Sequence, residues 1–268
     1  MYRTNCFRCN AHPNPSQLVM DVEGFDTYHE LINFLNNGQF EELEFHDEKV
    51  ELAKAKPLYL PDSFRLLSIG DSQIARSIRS YVKGRGFSIE ELCKHGVGYA
   101  TKEPFFGYLI IPFYYHGQLR YYNARKVIGN GPRYNNPNKD ITGLGKEFII
   151  FNYDALEMYR SVFICEGALN ALTLGDRAIA TMGKVVSKYQ LNELIKAPCQ
   201  RYIILLDFDA QKYAIELALK LILYKKVKLV LFEDNRDVND LGKKAVLKKV
   251  YKTKYTTYQD LIKLKNSL

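Results

Sequence analysis

Nothing in these 268 residues resembles a membrane anchor. No stretch approaches the eighteen or so uninterrupted apolar residues a spanning helix needs, and the polar start Met1-Tyr2-Arg3-Thr4-Asn5 has no secretory apolar run behind it. A cytoplasmic protein with no membrane partner is expected. Cysteine is sparse and odd in number: Cys6, Cys9, Cys93, Cys165 and Cys199, with no export signal, argue against a disulfide framework. Tryptophan is absent, so the flat side chains are 20 tyrosines and 15 phenylalanines, most of which the core must absorb. There is no internal repeat and no low-complexity tract. A phosphate-binding Gly-x-x-x-x-Gly-Lys-Ser/Thr loop is also missing: Gly143-Leu144-Gly145-Lys146 runs into Glu147 with the wrong spacing, which excludes a fused ATPase motor of that kind.

What is present is ample apolar content, 47%, and a net charge of +8. The first supports a buried core; the second permits a polyanionic partner without requiring one. Residues 1–40 hold Cys6-x-x-Cys9, a turn at Pro13 and Pro15, and an amphipathic run in which Tyr28, Leu31, Ile32 and Leu35 share a helical face. Residues 41–60 read as a polar linker or exposed helix, and residues 61–158 as a basic α+β region. From 159 to 250 the pattern turns regular. Val162–Cys165, Ala178–Thr181, Tyr202–Leu206 and Val227–Phe232 read as strands, alternating with helices over Ala168–Leu174, Ser187–Ile195, Tyr213–Leu223 and Leu241–Val250. Strands apolar throughout and separated by helices predict an α/β domain with a parallel sheet covered on both faces, leaving 251–268 as a C-terminal tail.

In open parallel sheets ligands bind beyond the carboxyl ends of the strands, and here those ends are acidic. The first strand runs into Glu166, the third into Asp207-Phe208-Asp209, and the fourth leads to Asp234 and Asp237. In extended chain Asp207 and Asp209 would point the same way and reach one ion together. Converging carboxylates repel unless cations sit among them, and magnesium, which takes oxygen ligands and bridges to phosphates, suits such a set. Any one of these acids could equally cap the helix that follows it; all of them together at matched strand ends argue for the ion.

Glu166-Gly167-Ala168-Leu169-Asn170, Asp207-Phe208-Asp209 and Asp237-Val238-Asn239-Asp240 resemble the glutamate, Asp-x-Asp and later acidic motifs of TOPRIM domains. The resemblance implies that Glu166, Asp207 and Asp209 are catalytic and that these three with Asp237 hold Mg²⁺ or Mn²⁺. Gly167 is expected to let the backbone pass close to the site. Asn239 stands where an acid is common.

Upstream, Tyr81-Val82-Lys83-Gly84-Arg85-Gly86-Phe87-Ser88, then Gly96-Val97-Gly98-Tyr99-Ala100, Asn123-Ala124-Arg125, Pro132-Arg133-Tyr134-Asn135-Asn136-Pro137 and Gly145-Lys146 are similar, in the same order, to the core of bacterial- and phage-type DNA primases, the DnaG-like family. This implies a core over about 61–250 that joins ribonucleoside triphosphates into short RNA primers on single-stranded DNA. Arg85, Arg125, Arg133 and Lys146 would grip template and nucleotide phosphates, Asn136 would help to position them, and a replicative helicase could act in trans. Cys6-Phe7-Arg8-Cys9-Asn10-Ala11-His12 with the following Tyr28–Ile32 stretch resembles the second half of that family's zinc ribbon. The five residues before Cys6 leave no room for the preceding ligand pair, so Zn²⁺ would need His12, His29 or chain beyond this sequence, or the site is dead. Too little chain follows the last helix for the family's helicase-docking domain. Two rivals remain: a TOPRIM nuclease that uses the same acids to cut phosphodiesters, and a non-catalytic accessory that binds single-stranded DNA. A topoisomerase would need a separate strand-cleaving domain.

Overall fold

The apolar runs sort into two kinds of strand, and each kind builds one sheet. The computed structural model describes residues 20, 23–35, 56–143 and 145–267. Helix α1, Tyr28–Leu35, starts at a reciprocal cap: the Thr27 N–H donates to the Glu30 carboxylate at 2.9 Å, and the Glu30 N–H donates to the Thr27 hydroxyl. Its Leu31 is buried, and His29 Nδ1 lies 2.9 Å from the Tyr224 hydroxyl.

Strands β1 (Phe64–Leu66), β2 (Gly98–Ala100), β3 (Tyr108–Tyr115) and β4 (Gln118–Lys126) pair in that order, all antiparallel. The β3–β4 hairpin closes through His116 and Gly117, both at positive φ (49° and 77°), the turn geometry whose twist matches that of the strands. Between β1 and β2 lie α2 (Gln73–Gly84) and α3 (Ile89–Lys94), whose first turns are capped by the Ser72 and Ser88 hydroxyls. Two short helices, α4 (Lys139–Thr142) and α5 (Ala155–Met158), lead out of this half.

The second sheet is parallel, as the unbroken apolar runs require, and has the order β6-β5-β7-β8 for β5 (Ser161–Cys165), β6 (Ala178–Ala180), β7 (Arg201–Leu205) and β8 (Lys226–Leu229). Period-two alternation assigns its faces. Val162, Ile164, Tyr202 and Ile204 pack under α7 (Lys188–Lys196) and α8 (Gln211–Leu221). Cys165, Ile203 and Leu205 pack under α6 (Ala168–Leu174), α9 (Val238–Leu241) and α10 (Lys243–Lys252). That second core continues without a break into the antiparallel half through Phe151, Phe113, Ile111, Ile78 and Val82, so the two sheets are joined by shared packing as well as by chain. Phe151 also exchanges backbone hydrogen bonds with Ala180 on the edge strand β6.

Two expectations change. The helix expected over 241–250 is broken at Gly242, whose φ of 76° ends α9 and redirects the chain into α10. The segment expected as a tail contains α11, Tyr258–Ser267, capped by the Thr257 hydroxyl and held by fully buried Leu261 in the core beside α8. No helix among the described residues is long and apolar enough to cross a membrane.

Leu261→Ala is expected to lower the unfolding free energy by roughly 2–4 kcal/mol in urea denaturation, through lost transfer energy plus a cavity. An unchanged midpoint would show that α11 is not docked.

Candidate functional site

The acids expected at the strand ends do share one edge of the parallel sheet. Glu166 leaves β5, Asp207 follows β7 by way of Leu206, and Asp237 stands at the start of α9 beyond β8. Their fields overlap. Burial first, then repulsion from Asp207 and Asp209, pushes the Glu166 carboxyl up from 4.5 to about 7, although Lys184 and Lys146 pull it down. Burial, then Asp237 and Asp209, pushes Asp207 from 3.8 to about 6, again opposed by Lys184. Both shifts have the same meaning: negative charge is held where water cannot fully solvate it.

The four carboxylates are not equally available. Asp237 accepts the Asp240 N–H at 2.8 Å while Asp240 accepts the Asp237 N–H, a reciprocal helix cap that occupies one side of each. Asp209 is engaged by the Lys184 ammonium. Asp234 forms a bidentate pair with Arg236. Among the described residues no three His, Cys, Asp or Glu side chains stand ready to enclose a metal ion, so the expected four-carboxylate cage is not preassembled. What is left open is Glu166, whose Oε2 is buried with no hydrogen-bond partner, and Asp207 beside it. An orphaned carboxylate oxygen facing a second raised carboxyl suits a hard divalent cation, so the donor set fits magnesium or manganese.

Two local expectations need correction. Asp207 is still extended (φ −63°, ψ 160°), but Asp209 is not: β7 ends at Leu205 and the backbone tightens into a 3-10 turn over Phe208–Ala210, which leaves Asp209 exposed. Their proximity comes from that turn rather than from strand alternation. Gly167 has φ −115°, and a Cβ there would meet nothing within 4 Å, so neither space nor backbone demands glycine.

Asn239, at a position where an acid was anticipated, is a strut. Its N–H donates to Asn170 Oδ1 (3.3 Å), and its Nδ2 donates to the Arg85 carbonyl (3.1 Å) and the Thr173 hydroxyl (2.9 Å). Asn170 Nδ2 in turn donates to Asp207 Oδ1 at 3.0 Å. A line of neutral amides thus runs from the carboxylate to the C-terminal end of α2, tying the acidic edge to the other half of the molecule.

Of the basic residues, Lys146 joins the acids. It lies within the field of Glu166 and, with Lys184, Ser187 and Tyr213, lines a cavity of about 260 Å³. Gln190 supports the cavity wall by donating to the Ile149 and Thr181 carbonyls at 2.6 and 2.8 Å. Arg125 and Arg133 both lie over the ring of exposed Tyr134, each 5.6 Å from its centroid, and Arg125 also donates to its hydroxyl. Asn136 holds that segment to β4 by accepting from Asn123 Nδ2 and the Ala124 N–H. Arg85 caps α2 and lines a second cavity, of about 310 Å³, with Thr173, Asp176 and Lys243; none of Glu166, Asp207, Asp209 or Asp237 lines either cavity. Cys6, Cys9 and His12 lie outside the described residues, whereas His29 faces Tyr224.

This arrangement of two sheets with acids at the parallel edge has close counterparts in shape. The DnaG catalytic core matches at a TM-score of 0.59 and 20% identity, over 74% of this chain and 78% of that one. The Aquifex aeolicus primase structure of zinc-binding and RNA polymerase domains matches at 0.60 and 21%, over 98% and 77%. The DnaG primase catalytic domain bound to single-stranded DNA matches at 0.59 and 19%, over 74% and 77%. The chain has the primase-core fold. The sequence itself matches no protein-family model and no curated protein.

Within the primase-core fold, Lys184 and Asn170 are the site residues that the motifs did not single out. Lys184 follows β6 in Thr181-Met182-Gly183-Lys184, and the strand-end rule applied to that second strand would have flagged it. Asn170 lies inside the glutamate motif, but nothing in its spacing reveals that it reaches Asp207.

The raised carboxyl of Glu166 carries a sign for stability. The folded state holds this proton more tightly than the unfolded chain, so the contribution is full below about 4.5 and is lost as pH rises towards about 7. In metal-free buffer at pH 8, Glu166→Gln is therefore expected to stabilise the protein, on the order of 1 kcal/mol once partial exposure is allowed for. Urea denaturation would check it, and destabilisation by the variant would contradict the assignment.

Proposed function

We propose that the chain is a DNA-directed RNA primase that builds short RNA primers on single-stranded DNA from ribonucleoside triphosphates. The observation that carries this reading is the primase-core fold with two raised carboxyls, Glu166 and Asp207, beside Lys146 and Lys184 at the carboxyl edge of its parallel sheet. Glu166 and Asp207 would hold Mg²⁺ or Mn²⁺, with Asp209 and Asp237 as outer acids of the TOPRIM-like set. Such an ion would supply Lewis acidity for the proposed nucleotidyl transfer, in which a 3′-hydroxyl attacks an α-phosphate and pyrophosphate leaves.

The remaining work falls to side chains. Asn170 fixes the Asp207 carboxylate through the 3.0 Å hydrogen bond, so the acid presents one orientation. Lys146 and Lys184 face a cavity large enough for a triphosphate and would neutralise its oxygens. The Arg125-Tyr134-Arg133 stack offers guanidinium groups for template phosphates and an exposed ring for a base. One neighbour of similar shape was solved bound to single-stranded DNA, which supports that assignment. Cys6 and Cys9 are proposed as half of a zinc site, in keeping with the zinc-binding domain of the Aquifex aeolicus neighbour.

The deciding experiment incubates the purified chain with single-stranded template, four ribonucleotides and Mg²⁺. Ribonucleotide oligomers are expected from the wild type, with a loss of about 100-fold or more in Glu166→Gln and Asp207→Asn. Cut template in place of oligomers would establish the nuclease instead, and neither product would leave a binding protein. Arg125→Ala and Arg133→Ala should each weaken binding of labelled single-stranded DNA and reduce the slope of log K against log salt by about 0.7. An unaltered slope would remove the pair from the template path.

A further inference from the structure

Lys184 occupies an unusual place. Its ammonium engages Asp209, its field reaches Glu166 and Asp207, and its side chain lines the cavity shared with Lys146. The acids therefore divide into an engaged side, where Asp209 already has a cation, and an open side, where the Glu166 Oε2 is buried without a partner. Asn170 and Asn239, the second of which stands where an acid is common, are occupied by neutral hydrogen bonds to Asp207, Thr173 and the Arg85 carbonyl, and one oxygen of Asp237 is occupied by its cap. The open oxygens of Glu166 and Asp207 suit one divalent ion, and an ion placed at Asp209 would have to displace Lys184 or sit beside its ammonium.

We infer that Lys184 is a tethered cation standing in for a second divalent ion, so that the site takes one ion between Glu166 and Asp207 while the ammonium meets nucleotide phosphate oxygens from the Asp209 side. This rests on the reading of the acidic edge as a cation site. Lysine suits the role because its compact ammonium carries three donors on a flexible stem and can keep Asp209 while turning towards the cavity. A permanent unit charge next to Asp209 also raises the cost of placing another ion there, since two cations a few ångströms apart repel strongly in a partly desolvated site.

The test is a Mn²⁺ titration of the purified full chain at pH 8, without nucleotide or template, with free Mn²⁺ read by electron paramagnetic resonance. One ion is expected on the wild type and on Lys184→Arg. Two are expected on Lys184→Ala, the added ion binding about tenfold or more tightly than any second ion on the wild type. Two ions on the wild type, or one on Lys184→Ala, would overturn the role of Lys184. Glu166→Gln is expected to lose the first ion; Mn²⁺ binding unchanged in that variant would overturn the cation site itself, and the inference with it. None of these readings depends on primer synthesis, so they are separate from the activity assay.

Discussion

Like charges held together in a half-buried pocket are the constraint around which this protein is arranged. Glu166 and Asp207 come from neighbouring strands, and each is pushed above its ordinary range by burial and by the other carboxylates. A fold spends stability to hold such groups ionised, a cost that a bound cation would offset. The surroundings limit the cost without removing it. Asp237 is held by its helix cap, Asp209 by Lys184, and Asp207 by an amide rather than a charge.

The amide line from Asp207 through Asn170 and Asn239 to the Arg85 carbonyl gives the site a mechanical frame. It works together with the shared core in which Val82 and Phe113 of the antiparallel half meet Cys165 and Leu205 beneath the acidic edge. The acids therefore keep a fixed relation to the half that carries Arg125, Arg133 and Tyr134. The proposed chemistry, which would bring a template strand and a triphosphate to one place, needs that relation to be rigid.

Much of this was legible in the residues. Unbroken apolar runs identified the parallel strands and the helices between them, because a strand buried on both faces has no other pattern. The motifs placed acids at the ends of those strands, and Glu166, Asp207 and Asp237 do share one edge of the sheet. What escaped was set by tertiary contact or by local backbone. The break at Gly242 and the docking of Leu261 depend on which turns close and which faces find a partner. Where Asn136 and Arg85 sit was likewise a matter of tertiary contact: one secures a loop to β4 and the other lines a cavity with Thr173 and Lys243. Lys184 went unnoticed because an isolated lysine after a three-residue strand has no signature until Asp209 is seen beside it.

The most direct test of the central claim is anomalous diffraction from crystals of the protein soaked in Mn²⁺. A peak about 2.1–2.2 Å from carboxylate oxygens of both Glu166 and Asp207 is the predicted result. A fully occupied manganese site elsewhere, with these two carboxylates left bare, would contradict it.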